Sequence, residues 1–365
     1  MSERVLAGRQ HRFLSGRRWV AAIAVLVACG PAAACGSNDP DDGAGATGHP
    51  TLTLVTYDSF VLDDTVKARV ESKLGIRLKV VQRGDAAAAL STAVLTAGKP
   101  EGDVFFGVDN TLLSRALAAD VFVESKVEVP DSVVASLRLD STGRLVPIDT
   151  APVCINYDRD WFDEHDLAPP TSMDSLADPA YRGLLAIESP VTSSPGLVFL
   201  LGVASALGAD ADAFWASLAA NDVAVAGSWD DAWNAMYTVN GGDRPLVLSY
   251  ASSPPAEVFY SEGALSEPRS GVIESTCITQ VEFAGVLRGS SHPALAARLV
   301  QEMLGADWQA ALPLTNFVFP ARSDAAIPEE FSSFATVPAN PIRLDPATVA
   351  SIRDRLVDRW RTVME

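Results

Sequence analysis

The chain has 365 residues, and 46 acidic against 28 basic residues give it a net charge of −18. Such a surface repels phosphate groups, so the composition excludes nucleic acid as an expected partner. The four histidines and four cysteines form no cluster with metal-ligand spacing, and no cofactor motif is present, so neither a metal nor a cofactor is expected.

The N-terminal 28 residues have the pattern of a secretory signal. Five arginines precede an apolar run, Trp19 to Ala28, that is too short to remain as a membrane anchor. The run ends in Leu26-Val-Ala-Cys29, which resembles the lipobox of bacterial lipoproteins and predicts lipidation of Cys29 and an extracytoplasmic, membrane-anchored protein. Cys35, after three alanines, is the second candidate. The alternatives are an ordinary export signal or a single membrane anchor with two idle cysteines.

Residues 29–49 are interpreted as a flexible tether. The stretch from Gly36 to Gly48 contains no large apolar residue, so it cannot bury enough surface to fold. Loss of residues 1–28 removes five arginines and one glutamate, which changes the net charge from −18 to −22.

Strands and helices alternate after the tether. The stretch "TLTLVTYDSF" from Thr51 to Phe60 alternates as a strand that ends in Tyr57 and Asp58, at the edge where open α/β sheets bind ligands. Gly75 is expected to end the helix that follows. That helix is predicted from Asp63 to Leu74. The next predicted elements are strand Ile76 to Val80, helix Asp85 to Ala97 and strand Asp103 to Val108, which complete a βαβαβ half.

A second half has the same alternation. The predicted elements are strands Val146 to Asp149, Val153 to Tyr157, Leu184 to Ile187, Val223 to Val225 and Pro245 to Tyr250, and helices from Ser194 and from Asp230 to Val239. About 300 folded residues exceed one comfortable core, so two lobes are expected, with 50–150 as the first lobe and 151–280 as the second. Residues 281–365, with helices from His292 to Leu304 and from Asp345 onward, are expected to return to the first lobe and brace the pair.

Six motifs together resemble the thiamine-binding proteins of bacterial ABC importers. In chain order they are "TYDSF", "VDNTLL", "SSPGL", "GSWDDAW", "LVLSYASSP" and "LTNFVFP". The resemblance implies an α/β, two-lobed periplasmic-binding-protein-like fold with a mostly parallel sheet in each lobe. It also implies a monomer that captures thiamine or a thiamine phosphate in the cleft and delivers it to an ABC permease.

Thiamine carries a cationic thiazolium and an aminopyrimidine, so its receptor needs aromatic faces and hydrogen-bond acceptors. The resemblance matches Tyr57, Trp229 and Tyr250 to ligand-facing aromatics. The helix that begins at the Ser-Ser-Pro sequence has an N-terminus suited to the phosphate of an ester. The full set of predicted ligand-binding residues is Tyr57, Asp58, Asp109, Asp149, Ser193, Ser194, Trp229, Tyr250, Asn316 and Phe317.

Each of these residues also has a simpler explanation. Aromatic side chains at strand ends can cover the edges of a lobe, and aspartates or serines before helices can act only as caps. Asp64, Ala256 and Phe317 stand where the family commonly has other aromatic residues, which leaves a related cationic solute, of polyamine or iron type, as the alternative ligand.

Cys154 and Cys277 are the cysteines of the mature body. In an oxidising compartment they can form one disulfide or remain buried thiols. Thiaminase-like enzymes share the two-lobed architecture and use a cleft cysteine, so Cys154 defines an enzymatic alternative. The sequence near Cys154 offers no histidine or lysine to activate a thiol, and the protein is expected not to be an enzyme.

Overall fold

The computed structural model describes residues 48–364. The predicted signal, the two candidate lipidation sites Cys29 and Cys35 and nearly all of the predicted tether lie outside the described residues. The first elements are β1 (Thr51–Thr56), α1 (Asp64–Leu74), β2 (Arg77–Gln82), α2 (Ala86–Leu95), β3 (Val104–Asp109) and α3 (Leu113–Ala118).

Local chemistry explains the boundaries of α1. The side chain of Asp63 accepts hydrogen bonds from the amides of Thr65 and Val66, which caps the first turn. Gly75 follows the last turn with a φ of 65°, in the left-handed region where glycine is favoured. The predicted βαβαβ half is therefore present, with bounds that differ by at most two residues from those expected.

The remaining elements contain three strands that we did not predict, β9, β10 and β11. Up to the last strand of the second half the elements are β4 (Leu145–Thr150), β5 (Val153–Asp158), α4 (Arg159–Glu164), β6 (Leu185–Glu188), α5 (Ser194–Leu207), α6 (Ala211–Ala220), β7 (Ala224–Ala226), α7 (Trp229–Asp231) and β8 (Leu246–Tyr250). They are followed by α8 (Pro254–Tyr260), β9 (Ser270–Ile278), β10 (Val281–Val286), α9 (Pro293–Met303), α10 (Ala306–Thr315), β11 (Phe319–Pro320), α11 (Glu329–Ser332) and α12 (Pro346–Met364).

The strands form two sheets. The first sheet has six strands in the order β11-β4-β10-β3-β1-β2, and the second has five in the order β7-β6-β8-β5-β9. Most strands of each sheet run in one direction, as expected. The exceptions are β10 and β11 in the first sheet and β5 in the second, which pair antiparallel with their neighbours.

The chain passes between the sheets through two short connections. One joins Thr150 at the end of β4 to Val153 at the start of β5, and the other joins Ile278 of β9 to Val281 of β10. Beside these crossings a disulfide links Cys154 and Cys277, which settles the alternative that the sequence left open. Both connections therefore join the first sheet to β5 and β9 of the second sheet, which are neighbouring strands joined by the disulfide.

The prediction of one continuous helix from Asp230 to Val239 is wrong. The segment contains the short helix α7, then a π-helical turn at Ala232–Met236 and a tight turn at Thr238–Asn240. In this conformation Trp233 and Tyr237 are both buried. Packing of these large side chains against the second sheet overrides the local helical preference, and such π turns often occur at functional sites.

Helices α5 and α6 carry the most apolar long stretch of the described residues. Ser194–Ala220 is long and apolar enough to cross a membrane by length and composition alone. In the structure the first ten residues of α5 are all buried, and the stretch is divided between two helices. These are core helices of the folded body. Helix α12 packs against both of them and also against α3.

Candidate ligand-binding site

A cavity of about 590 Å³ lies between elements of the two sheets. Tyr57 and Glu282 line it from the first sheet, and Trp229 and Tyr250 line it from the second. Its volume is in the range of pockets that enclose small organic ligands. The other lining residues are Ser59, Val61, Ala151, Asp230, Trp233, Asn234, Val239, Asn240, Ser253, Ala256, Glu257, Tyr260, Ser261, Leu265, Arg269, Thr315, Asn316, Phe317 and Val318.

One wall consists of stacked aromatic rings. Trp229 and Trp233 lie with ring centroids 5.9 Å apart at an interplanar angle of 14°, and Tyr250 lies 6.0 Å from Trp229. The side chain of Ser228 caps α7 and so fixes the backbone at Trp229. The indole Nε1 of Trp229 donates a 2.9 Å hydrogen bond to Ser249 Oγ, which orients the ring.

The mouth of the cavity carries a second aromatic group. The rings of Tyr260 and Phe317 are 5.6 Å apart, and Tyr260 is 64% exposed. Phe317 has a φ of 52°, which is strained for a bulky residue. Ala256, one turn before Tyr260 on α8, also lines the cavity. Tyr260 therefore supplies an aromatic face close to the position where the sequence lacks one.

Tyr57 joins the cavity to the core of the first sheet. A Cβ atom at Gly107 would lie 2.7 Å from the Tyr57 ring, so only glycine leaves room for this ring beside β3. The Tyr57 hydroxyl donates a 3.2 Å hydrogen bond to Glu282 Oε2. Burial and the charge of Glu282 raise the pKa of Tyr57 well above its ordinary value, so the phenol remains a donor.

Carboxyl groups form the floor of the cavity. Glu282 reaches the cavity surface, whereas Asp85, Asp109, Asp149 and Glu188 are buried behind it. Burial, together with the charge of Asp109, raises the pKa of Glu282 to about 8. Burial beside Glu282 raises the pKa of Asp149 as well, because two adjacent carboxylates cannot both ionise at low cost. The floor favours a positive charge above it.

Hydrogen bonds beneath the floor link the two sheets. Asp85 accepts the amide of Ser194 at 2.8 Å and the amide of Trp229 at 3.2 Å, and burial raises its pKa to about 6. Ser194 Oγ donates to Asp109, and Gln280 Nε2 donates to both Ser194 Oγ and Glu282 Oε1 at 3.3 Å. A carboxylate therefore already lies at the N-terminus of α5.

Basic charge at the cavity is neutralised locally. Arg269 is the one basic residue among the described residues that line the cavity. Its guanidinium contacts Asp160 at 2.7 Å and Asp158 at 3.2 Å. Asp230, Glu257 and Glu282 are acidic lining residues, so the cavity as a whole has acidic character.

The structure brings together part of the predicted site. The predicted residues that line the cavity are Tyr57, Trp229, Tyr250, Asn316 and Phe317. The others lie outside its lining: Asp109, Asp149, Ser193 and Ser194 are buried behind it, and Asp58 is exposed. The side chain of Asn316 is already used, since it exchanges two 2.9 Å hydrogen bonds with the backbone of Val61.

Three of the cavity residues that sequence reasoning missed are Glu282, Trp233 and Tyr260. Glu282 belongs to β10, a strand inserted between β3 and β4 from a distant part of the chain. Trp233 reaches the cavity only through the π-helical turn, which no sequence pattern indicated. Tyr260 had a usable signal, because two adjacent aromatic residues at the end of a helix that opens with Ser-Ser-Pro-Pro are unusual on a solvated surface.

Comparison with known proteins places this site in context. The family model of the bacterial extracellular solute-binding proteins matches residues 100–339. This chain belongs to that family. A thiamine-binding periplasmic protein of Salmonella typhimurium is 30% identical over 328 residues, which cover 87% of this chain and 94% of the relative. Its counterpart from Escherichia coli is 29% identical, with coverage of 86% and 93%.

Solved structures of this solute-binding protein's relatives agree with the fold. A periplasmic thiamin binding protein superimposes with a TM-score of 0.77 at 27% identity, covering 88% of this chain and 98% of that one. Iron-bound HitA from Pseudomonas aeruginosa superimposes with a TM-score of 0.68 at 21% identity, over 86% of this chain and 99% of that one, a likeness of fold alone. The two-lobed periplasmic-binding-protein fold that the sequence predicted is confirmed, and the protein acts as an extracytoplasmic solute-binding protein.

Proposed function

We propose that this solute-binding protein captures thiamine in the cavity between its sheets and delivers it to an ABC permease. The observation that carries the proposal is the pairing of stacked indoles with a carboxyl floor. A thiazolium cation gains cation–π attraction from Trp229 and charge neutralisation from Glu282, and the aminopyrimidine gains stacking faces and acceptors. The thiamine-binding relatives, which cover most of the chain, support the same ligand.

Free thiamine fits this site better than its phosphate esters. The sequence analysis assigned the N-terminus of α5 to a phosphate. In the structure the backbone amide of Ser194, at this N-terminus, donates its hydrogen bond to Asp85. A phosphate there would have to displace a carboxylate, and the acidic lining of the cavity would repel its charge. Thiamine should therefore bind more tightly than thiamine monophosphate, and the monophosphate more tightly than the diphosphate.

Two alternatives receive less support. For a ferric-iron binder, no group of three or more His, Cys, Asp or Glu suited to a metal occurs within residues 48–364. For a thiaminase-like enzyme, the nucleophile would be Cys154, but its sulfur is bonded to Cys277 and is fully buried. A disulfide sulfur is not a thiolate and cannot attack the ligand in this state.

Isothermal titration with a panel of candidate ligands tests which solute the protein binds. The panel contains thiamine, its monophosphate and diphosphate, the aminopyrimidine alone, spermidine and ferric citrate. We expect the tightest saturable binding for thiamine. Binding of spermidine or ferric citrate in preference to thiamine would contradict the proposal and select the polyamine or iron alternative.

Lipid anchoring is a second part of the proposal, supported by the lipobox-like sequence that ends at Cys29. Metabolic labelling with a fatty-acid analogue should label the parent protein and the Cys35→Ser variant. The Cys29→Ser variant should lose the label and appear in the soluble fraction. Undiminished label in Cys29→Ser would exclude this site and favour Cys35.

We also propose that the two lobes are the segments 50–150 and 151–280, with 281–365 returning to the first lobe. The change of strands from the first sheet to the second after Thr150, and back again after Ile278, supports these boundaries. The contacts of α12 with α3 on one side and with α5 and α6 on the other support a bracing role for the C-terminal helix.

A further inference from the structure

A second cavity, of about 380 Å³, lies apart from the ligand cavity and is lined by three arginines. Arg115 enters it from α3, and Arg353 and Arg361 enter it from α12. We call it the arginine cavity. Such a concentration of guanidinium groups is unexpected in a chain with a net charge of −18.

The positive charge in the arginine cavity is incompletely compensated. Arg353 is 14% exposed, and its Nε and Nη2 both donate to Asp354 Oδ1, at 2.9 and 2.8 Å. Its Nη1 is buried and has no hydrogen-bond partner in residues 48–364. A buried guanidinium nitrogen without a protein acceptor is costly, so an acceptor in the adjacent cavity, whether water or an anion, would stabilise it.

Arg115 adds a second set of open donors. Its side chain forms no hydrogen bond or ion pair with the described part of the chain. Partial burial and the nearby charge of Arg353 hold the pKa of Arg115 below its ordinary value. The two carboxylates at the rim, Asp354 and Asp358, are 85% and 78% exposed and so mainly face water.

We propose that the arginine cavity binds a small oxyanion of the phosphate class, held between the guanidinium groups of Arg115 and Arg353. Planar guanidinium groups bind phosphate and sulfate through paired N–H donors. The volume of the cavity admits inorganic phosphate with its remaining waters or a small phosphomonoester. The site is separate from the proposed thiamine cavity. Its lining is basic, whereas the lining of the thiamine cavity is acidic.

The position of the arginine cavity also predicts coupling to the ligand cavity. Pro190 and Val191 line it, and they lead directly into Ser194, whose amide is bound to Asp85 beneath the ligand cavity. In the same loop Thr192 accepts the amide of Ala88 at 3.1 Å. An oxyanion would therefore lie between α3 and the loop that leads into α5, so we expect it to change the affinity for the cleft ligand.

Titration with inorganic phosphate against a chloride background of equal ionic strength tests the proposal. The parent protein should bind phosphate saturably, and Arg115→Gln should weaken this binding by about tenfold or more, because a charge-assisted pair is lost. Arg355→Gln is the matched control, since Arg355 is an exposed arginine of α12 outside the cavity lining, and it should bind like the parent.

Further measurements keep the result interpretable. Circular dichroism and melting confirm that Arg115→Gln is folded, and Arg115→Lys, which keeps the charge, should recover part of the affinity. Equal phosphate affinity in Arg115→Gln and the parent, or no saturable binding by the parent, would overturn the proposal. Arg115-dependent retention on phosphatidylglycerol vesicles without phosphate binding would also overturn it and assign the site to a lipid headgroup. None of these tests uses thiamine, so failure here is distinct from failure of the proposed function.

Discussion

Asp149 and Glu282 are directly opposed on the neighbouring antiparallel strands β4 and β10, and both side chains are buried at the base of the ligand cavity. The other carboxylates that act on Glu282 are Asp109 and Asp85, so the surrounding charges oppose its ionisation. Burial and these charges raise the pKa of Glu282 to about 8, and burial beside Glu282 raises the pKa of Asp149, so we expect the pair to hold protons in the ligand-free protein at neutral pH. A cation bound above the pair would stabilise the ionised carboxylate and so favour release of a proton.

The first prediction concerns stability against pH. The folded-state pKa of Glu282 is about 8, above its ordinary value, so its contribution is fully present below about pH 4 and is lost as the pH rises through 8. Glu282→Gln stays neutral throughout, so its unfolding free energy relative to the parent should rise with pH, by about 1 kcal/mol at about pH 5 and about 3 kcal/mol at about pH 6.5. Urea unfolding at several pH values measures this gain.

The control for this experiment is Glu274→Gln, since Glu274 is an exposed glutamate of β9. Its stability relative to the parent should not vary with pH. If Glu282→Gln shows the same flat difference as the control, Glu282 is ionised in the ligand-free protein and the raised pKa on which this prediction rests is wrong.

The second prediction links ligand binding to proton release. Because a bound cation favours the charged form of Glu282, thiamine binding at pH 7 should expel up to about one proton, and affinity should rise by at most about tenfold per pH unit. Titrations in two buffers with different ionisation enthalpies count the protons. Glu282→Gln should bind more weakly and release fewer protons. An unchanged count in the variant would show that another group loses the proton.

Sequence reasoning succeeded where local patterns determine the structure. The alternation of β1, the Asp63 cap and the Gly75 terminus each depend on a few neighbouring residues, so their elements could be predicted. The number of folded residues predicted two lobes, and the motif resemblance predicted the periplasmic-binding-protein-like fold. The aromatic residues Trp229 and Tyr250 were predicted from the same motifs, and both line the cavity.

Prediction failed where distant parts of the chain decide the outcome. Asp109 ends a strand, as the rule for ligand sites requires, but its Oδ1 accepts the amides of Thr111 and Leu112 and it stays buried. The strand β10 enters the sheet beside it and places Glu282 at the cavity instead. This pairing joins residues more than 170 positions apart, and no local period could indicate it.

The third prediction concerns the disulfide. Cys154 and Cys277 are separated by 123 residues, and a crosslink over a long loop typically contributes about 2–4 kcal/mol. The double variant Cys154→Ala/Cys277→Ala should lose about that much unfolding free energy while binding thiamine normally, because both sulfurs are buried outside the cavity lining.

Incubation of the parent with thiamine and an aromatic amine should yield no cleavage product. Turnover that disappears in the double variant would favour the enzyme alternative.

The fourth prediction concerns Tyr260. Because this side chain is 64% exposed at the cavity mouth, Tyr260→Ala should weaken thiamine binding by about two- to fivefold and leave the melting temperature unchanged. Leu95→Ala is the control, since Leu95 is 87% exposed and lies outside the cavity lining. Equal affinity in both variants would mean that Tyr260 does not contact the ligand.

The last prediction concerns Trp229, whose indole stacks on Trp233 and donates to Ser249. Loss of the cation–π contact and of its buried area in Trp229→Ala should cost roughly 2–3 kcal/mol of binding, which is about 30- to 150-fold in the dissociation constant. Titration calorimetry measures this loss. Trp229→Phe keeps a ring but loses the hydrogen bond to Ser249, so its affinity should fall between those of Trp229→Ala and the parent.

The matched control for the indole is Trp161→Ala, because Trp161 is a half-buried tryptophan that stacks on His165 outside the cavity. It should bind thiamine like the parent. A ligand that stacks on Trp229 should change the tryptophan fluorescence of the parent and of Trp161→Ala, and Trp229→Ala should largely lose this change. Since Trp229 is only half-buried, Trp229→Ala should melt close to the parent temperature. If it instead melts early and binds with parental affinity once folded, the indole is a packing residue of the second sheet, and the ligand must contact other walls of the cavity.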